Sequence, residues 1–261
     1  MKRIIILGTL LLFLISACFL FFHDSVKDLY NKGLYEEVVL KTTKSLNKKI
    51  TENDLYYNCA ALSKLNEKTE TREKAELYYY LFEKNKDHRI SILRILLFTS
   101  EPTLAYEAAQ EMKNLVTFNK SDNIQYYKVL NDNELFTAAS KHLSEISGNL
   151  SPGEVAFAVI NGNAPTWQIL SSLDNLYTKE GVSKDFVSAI KLALPIVVSR
   201  DGIDYIPILL KDTYDGSADY SIVLGDFYYA IGEDELAIKY WSNAAPIYPK
   251  EIAEREKLIS R

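Results

Sequence analysis

Two short patterns in this chain have the residue types and spacing of acyl-transfer chemistry. Ser45-Leu46-Asn47-Lys48 sets a serine one helical turn before a lysine, where an amine can take the hydroxyl proton and leave a nucleophilic oxygen. Ser121-Asp122-Asn123 adds the S-D-N triplet that accompanies such a serine. The third element, K-T-G on a strand, does not occur, and Ser45 falls on the apolar stripe of its own segment. Both serines are therefore expected to be structural. His23, His88 and His142 stand far apart, with neither H-E-x-x-H spacing nor paired carboxylates, so no metal is expected. No glycine-rich phosphate loop and no nucleophile elbow appears, and no cofactor is expected. The chemistry points away from an enzyme.

One residue does invite a covalent event. Lys2 and Arg3 precede an uncharged apolar run from Ile4 to Phe22, and inside it Leu14-Ile15-Ser16-Ala17-Cys18 resembles the bacterial lipoprotein cleavage box. Small side chains beside the scissile bond suit the peptidase, and the thiol takes the lipid. The resemblance implies removal of residues 1–17 and acylation of Cys18. Phe19-Leu20-Phe21-Phe22 prolongs the run, so residues 4–22 also fit an uncleaved anchor, about 19 residues against the ~20 that span a bilayer. In either case the basic end stays inside, and the body lies on the extracytoplasmic side of the cell membrane or outer membrane. With Cys18 lipidated, Cys59 has no partner for a disulfide, and its helical neighbours mark it as a small buried hydrophobe.

The body behind this segment has the composition of a folded protein. Of 261 residues, 48% are hydrophobic and 12% aromatic, while seven prolines and ten glycines leave long stretches free to be helical. The net charge is −5, a balance that argues against a nucleic-acid partner. It is unevenly spread: residues 24–100 carry 14 basic and 12 acidic side chains, and residues 101–261 carry 14 and 23. Lys41, Lys44 and Lys48 share one helical face near the anchor, within reach of anionic headgroups but expected to be a solvated surface.

The elements are helical throughout, since no run alternates with period two for long. Leu224-Gly225 to Tyr228, Gly232, then Ala237, Trp241, Ala244 and Pro249 read as two amphipathic helices hinged at Gly232, with small residues at the contact and a proline ending the second. This closely resembles a tetratricopeptide unit, with its period of about 34 residues. Val26 to Val39, turning at Lys32-Gly33, resembles the same unit, and Asn53–Asn66 with Arg72–Asn85 makes the next, its turn lengthened by an insertion at Glu67–Thr71. Further helices are predicted at Ile90–Phe98, Pro102–Phe118, Ile124–Val129, Leu135–Ile146, Glu154–Ile160, Thr166–Lys179 and Lys184–Val198, with Tyr205–Tyr214 leading into the final hairpin. A polar capping helix is predicted over residues 250–260. The loop from Ser147 to Pro152 is the one hinge the sequence suggests, and it is not read as a domain boundary. The predicted fold is thus an all-α, helical-hairpin repeat superhelix, a tetratricopeptide-like solenoid over residues 24–261, with its best repeats at 24–66 and 218–249.

The resemblance implies a concave groove lined by the first helix of each hairpin. Carried over residue by residue, the groove positions are Lys27, Tyr30, Asn31, Tyr57, Ala61, Asp219, Ile222, Asp226 and Tyr229. The expected role is a non-enzymatic, membrane-anchored scaffold of the bacterial cell envelope that binds an envelope protein or peptide in this groove. Lipoprotein subunits of the outer-membrane β-barrel assembly machinery, and periplasmic lipoproteins that partner tripartite transporters, are similar in layout. A carrier of a small hydrophobic ligand or lipid is the alternative, permitted by aromatic clusters such as Tyr78-Tyr79-Tyr80-Phe82.

Overall fold

The structure is a computed structural model that describes residues 25–202, 214 and 216–259. The leader, Cys18, the 4–22 run and the expected segment at 205–213 lie outside the described residues. Among the described residues there are fourteen α-helices, one short 3-10 turn at Ser147–Asn149 and no strand. No described helix is long and apolar enough to cross a membrane. The chain divides into two compact units, Met1–Thr117 and Phe118–Arg261, where the sequence suggested one continuous body.

The first unit holds α1 (Val26–Asn31), α2 (Tyr35–Leu46), α3 (Glu52–Lys64), α4 (Lys68–Leu81), α5 (Lys86–Thr99) and α6 (Pro102–Leu115). Sequential pairs pack as hairpins, and α1, α3 and α5 lie side by side as the first helices of three such pairs. The second unit holds α7 (Lys120–Asp132), α8 (Phe136–Ile146), α9 (Pro152–Asn161), α10 (Thr166–Glu180), α11 (Lys184–Asp201), α12 (Ala218–Ala230), α13 (Asp234–Ala244) and α14 (Pro249–Ile259). α6 ends in extended backbone at Val116, next to the division. The Ser147–Pro152 loop does not mark this division. It lies inside the second unit, and Ser151 with Glu154 closes a capping box on α9.

One turn recurs in four hairpins and explains their common geometry. Gly33, Asn66, Glu134 and Gly232 each take a left-handed backbone, with φ of 77°, 63°, 59° and 81°. The next residue then donates back five positions: Leu34 to Leu29, Glu67 to Leu62, Leu135 to Leu130, and Glu233 to Tyr228, all at 2.8–3.1 Å. That is a Schellman closure, which satisfies carbonyls at the end of the first helix and releases the chain into the second. The predicted insertion at Glu67–Thr71 does not exist. Asn66 performs glycine's task, asparagine being tolerant of this region, and α4 starts two residues later as α2 does. The contact position five residues past each turn is then Val38, Thr71, Ala139 and Ala237, every one buried. Small side chains there let the paired helices approach.

The last hairpin is the tightest. A Cβ on Gly225 would stand 2.2 Å from Cδ1 of Trp241, so the indole occupies the space that only glycine leaves. Pro249 does not end the second helix, as predicted. That helix closes at Ala244, and Pro249 opens α14 at its first turn, where proline's missing N–H costs nothing. Ile252 is the buried contact of α14, and most of its other residues are exposed, as a cap requires.

The first unit contains a buried ionic staple with no signature in the sequence. Arg89 on α5 is 6% exposed, forks onto Glu111 of α6 at 2.7 and 2.8 Å, and donates to the carbonyls of Tyr79 and Phe82 at the end of α4. Its guanidinium also lies 4.3 Å from the Tyr79 ring centre. One side chain thereby ties three helices together. Cys59 is fully buried and its thiol is pushed up to about 12 by that burial, in keeping with a core role.

Candidate functional site

The groove positions of the first unit begin on α1, which Ser25 and Asp28 start with a reciprocal capping box. Leu29 turns inward onto Val38 and Ala61, and that fixes Lys27 and Asn31 as exposed and Tyr30 as half-buried on the other side. From Tyr30 a chain of rings crosses all three first helices. Tyr30 of α1 meets Tyr57 of α3 at 5.6 Å, and Tyr57 meets Tyr56 at 5.1 Å. Tyr56 then stacks on His88 of α5 at 3.7 Å with the planes 7° apart. Tyr35 closes the end of the row against Tyr30 at 5.4 Å.

These rings keep part of their surface open, and none is a fully buried core residue. Burial, and then neighbouring phenols, push the Tyr30 and Tyr57 hydroxyls above their ordinary range, so they remain neutral donors. Burial holds the His88 imidazole below its usual 6.5, against the pull of Glu52 and Asp87. Its Nδ1 is buried without a hydrogen-bond partner. Glu52, at the start of α3, accepts from Tyr78 at 2.7 Å. The surface combines flat apolar faces, phenolic hydroxyls and the Lys27 ammonium, which suits the side chains and backbone of a peptide segment.

Ala61 is a correction. It is fully buried between Leu29 and Val38 and lines nothing. The error is one of register. With the turn at Asn66, the equivalents of Lys27 and Tyr30 are Ala60 and Ser63, and Ala61 faces the helix pair. His88 and Tyr56 were not foreseen as site residues. His88 lies near the start of α5, and only the packing of α3 against α5 brings it onto Tyr56.

In the second unit the four groove positions on α12 have different fates. Asp219 and Ile222 line a groove of about 570 Å³ with Lys184 and Val187 of α11 and with Ile247 and Tyr248, whose hydroxyl donates to Asp219 at 2.8 Å. Asp226 is fully engaged. It accepts Trp241 Nε1 at 2.9 Å and both arms of Arg255 from α14, at 2.7 and 3.1 Å. Tyr229 is exposed, with its ring 5.7 Å from Trp241. The structure thus brings Asp219 and Ile222 together and assigns Asp226 to the cap.

The acyl-transfer patterns dissolve into local structure. Ser45 donates to Asp54 at 2.6 Å, tying α2 to the start of α3. Asp122 of S-D-N is buried and forms the capping box of α7 with Asn119. Of the aromatic cluster named for a hydrophobic carrier, Tyr78 donates to Glu52 and the Tyr79 ring lies against Arg89, while Tyr80 is exposed.

No family model matches the chain, and no curated protein does. Among solved structures, the chain is similar to the C-terminal part of a TPR repeat-containing protein from Cytophaga hutchinsonii. That likeness has 17% identity, covers 88% of this chain and 97% of that one, and has a TM-score of 0.47. It is also similar to the APC/C hetero-tetramer Cut9-Hcn1, at 12% identity over 89% of this chain and 47% of that one, with a TM-score of 0.41. The recurring turn and the packed helix pairs carry the assignment themselves: this is a tetratricopeptide-like array of helical hairpins.

Proposed function

We propose that the protein is a non-enzymatic scaffold that holds a peptide segment of a partner protein on the first-helix face of its first unit. The observation that carries this is the ring row Tyr30–Tyr57–Tyr56–His88. It spans three successive first helices beside the exposed Lys27 and Asn31. Rigid aromatic anchors lose little entropy on binding and dominate the energetics of peptide grooves. The leader that resembles a lipoprotein signal supports a setting for this activity. Acylated at Cys18, or anchored through residues 4–22, the scaffold would stand on the extracytoplasmic face of the bacterial cell envelope, with an envelope protein or peptide as its partner.

Two experiments test the two halves. Crosslinked purification of the tagged full chain from bacterial cells should retain a specific protein that is lost from the Tyr30→Ala, Tyr57→Ala double variant. Membrane fractionation should find the protein with the envelope, and Cys18→Ala should abolish incorporation of labelled fatty acid. A partner retained by the double variant contradicts the groove, and an unlabelled wild type contradicts the lipid anchor.

A further inference from the structure

The second unit carries a groove of about 640 Å³ between α8, α9 and α10, lined by both polar and apolar side chains, that the scaffold role does not use. Two of its three walls, α8 and α10, are second helices of their hairpins, so it is not the first-helix face where a partner peptide is placed. Its lining holds five serines, a threonine, an asparagine, a glutamine and one carboxylate, over a floor that includes Leu143, Val155 and Val159. No lysine, arginine or histidine lines it, which disfavours an anionic ligand, and one aspartate does not make a cation site.

Two features point to a ligand. Trp167 stands at this groove 61% exposed, whereas the chain's other tryptophan, Trp241, is 1% exposed. Gln168, beside it, is 7% exposed and lines the same groove. Its Nε2 reaches Ser140 at 3.5 Å, and its buried Oε1 has no hydrogen-bond partner. A glutamine amide turns easily about its last torsion, so this unspent acceptor can be delivered into the groove. Ser172 and Ser147 donate to the Ile169 and Ser144 carbonyls, which leaves their oxygens as acceptors toward the groove.

From this juxtaposition we infer that the groove binds a neutral saccharide. A pyranose presents a face of weakly positive C–H groups, which suits the negative π face of an exposed indole. Its edge presents hydroxyls that donate and accept together, which suits serine, asparagine and glutamine side chains with Asp174 accepting. An apolar ligand would leave the Gln168 acceptor and the Asp174 and Asn175 side chains unused, and an anion would meet Asp174 with no cation to balance it.

Tryptophan emission reads the test, because Trp241 is buried and Trp167 reports on the groove. The full chain, held in a detergent without a sugar headgroup, is titrated with chitotetraose, cellotetraose and maltotetraose, and with the neutral peptide Gly-Ser-Gly-Ser. At least one tetrasaccharide should shift the emission saturably. Trp167→Phe should abolish the shift, and Asp174→Ala and Asn175→Ala, both at exposed positions, should each weaken binding about tenfold, the scale of one lost hydrogen bond in such a site. The inference is overturned if no tetrasaccharide shifts the emission at millimolar concentration, if the shift survives in Trp167→Phe, if the two polar variants bind unchanged, or if the peptide shifts it equally.

Discussion

The first and last hairpins share a turn and differ in what happens to their first-helix face. In both, a glycine in the left-handed region closes the same hydrogen-bond pattern, and a small residue five positions on lets the helices meet. On α1 the outward positions remain available, with Lys27 and Asn31 exposed and Tyr30 opening a row of rings. On α12 the chain itself takes Asp226, through Trp241 from one side and Arg255 from the other, and Tyr248 takes an oxygen of Asp219. Equivalent repeat positions therefore need not be equivalent sites. The neighbour that follows decides, and the last repeat's neighbour is its own cap.

The comparison can be broken at the cap most severely. Trp241→Ala removes a fully buried indole from between α12 and α13, and should cost about 3–5 kcal/mol in chemical denaturation. Partner capture by the folded fraction should be unchanged. Asp226→Ala leaves the Trp241 N–H without its acceptor and frees Arg255. It should cost about 1–3 kcal/mol, most of it from the buried N–H, since the Arg255 pair is partly solvated. A stability equal to wild type would show that Asp226 is a surface residue after all.

The turns give a smaller and opposite pair of effects. Glu134 bears a left-handed conformation that costs a side-chain residue roughly 1–2 kcal/mol, so Glu134→Gly should stabilise by up to about 1 kcal/mol after the added freedom of the unfolded chain. Gly232→Ala should destabilise by a similar amount, because its φ of 81° is the same conformation already relaxed.

The smallest effect belongs to His88. Its imidazole is held below 6.5, so the unfolded chain binds that proton first as the pH falls. Stability contributed here is present above pH 6.5 and is lost on acidification through the window between 6.5 and the lower folded value. The melting temperature of His88→Gln should fall less steeply than that of wild type across this window. Parallel curves would mean that the stacked imidazole is not protected.

Which parts of this were legible in the sequence follows from how each is encoded. Gly33, Gly232 and the alanines beside Trp241 announce the hairpins, because only small residues meet those steric demands. Asn66 and Glu134 hide two further copies of the turn, since the backbone conformation is shared and the residue type is not. That concealment misplaced α4 by four residues and put Ala61 in the groove in place of its buried position. Arg89 was unreadable, because its partners come from two other segments, Tyr79 and Phe82 at the end of α4 and Glu111 on α6, that only folding brings to it. The Tyr56–His88 stack, from helices α3 and α5, was hidden for the same reason.

The central claim is that the first-helix face is open around Asn31 on α1, whereas on α12 the chain itself takes the position of Asp226. Photo-crosslinking residues placed singly at Asn31 and Asp226 in the full-length protein, activated in living cells, test both sides at once. The account predicts that Asn31 yields an adduct with another protein, and that Asp226 yields only an internal crosslink to α14. An intermolecular adduct from Asp226, with none from Asn31, would contradict it.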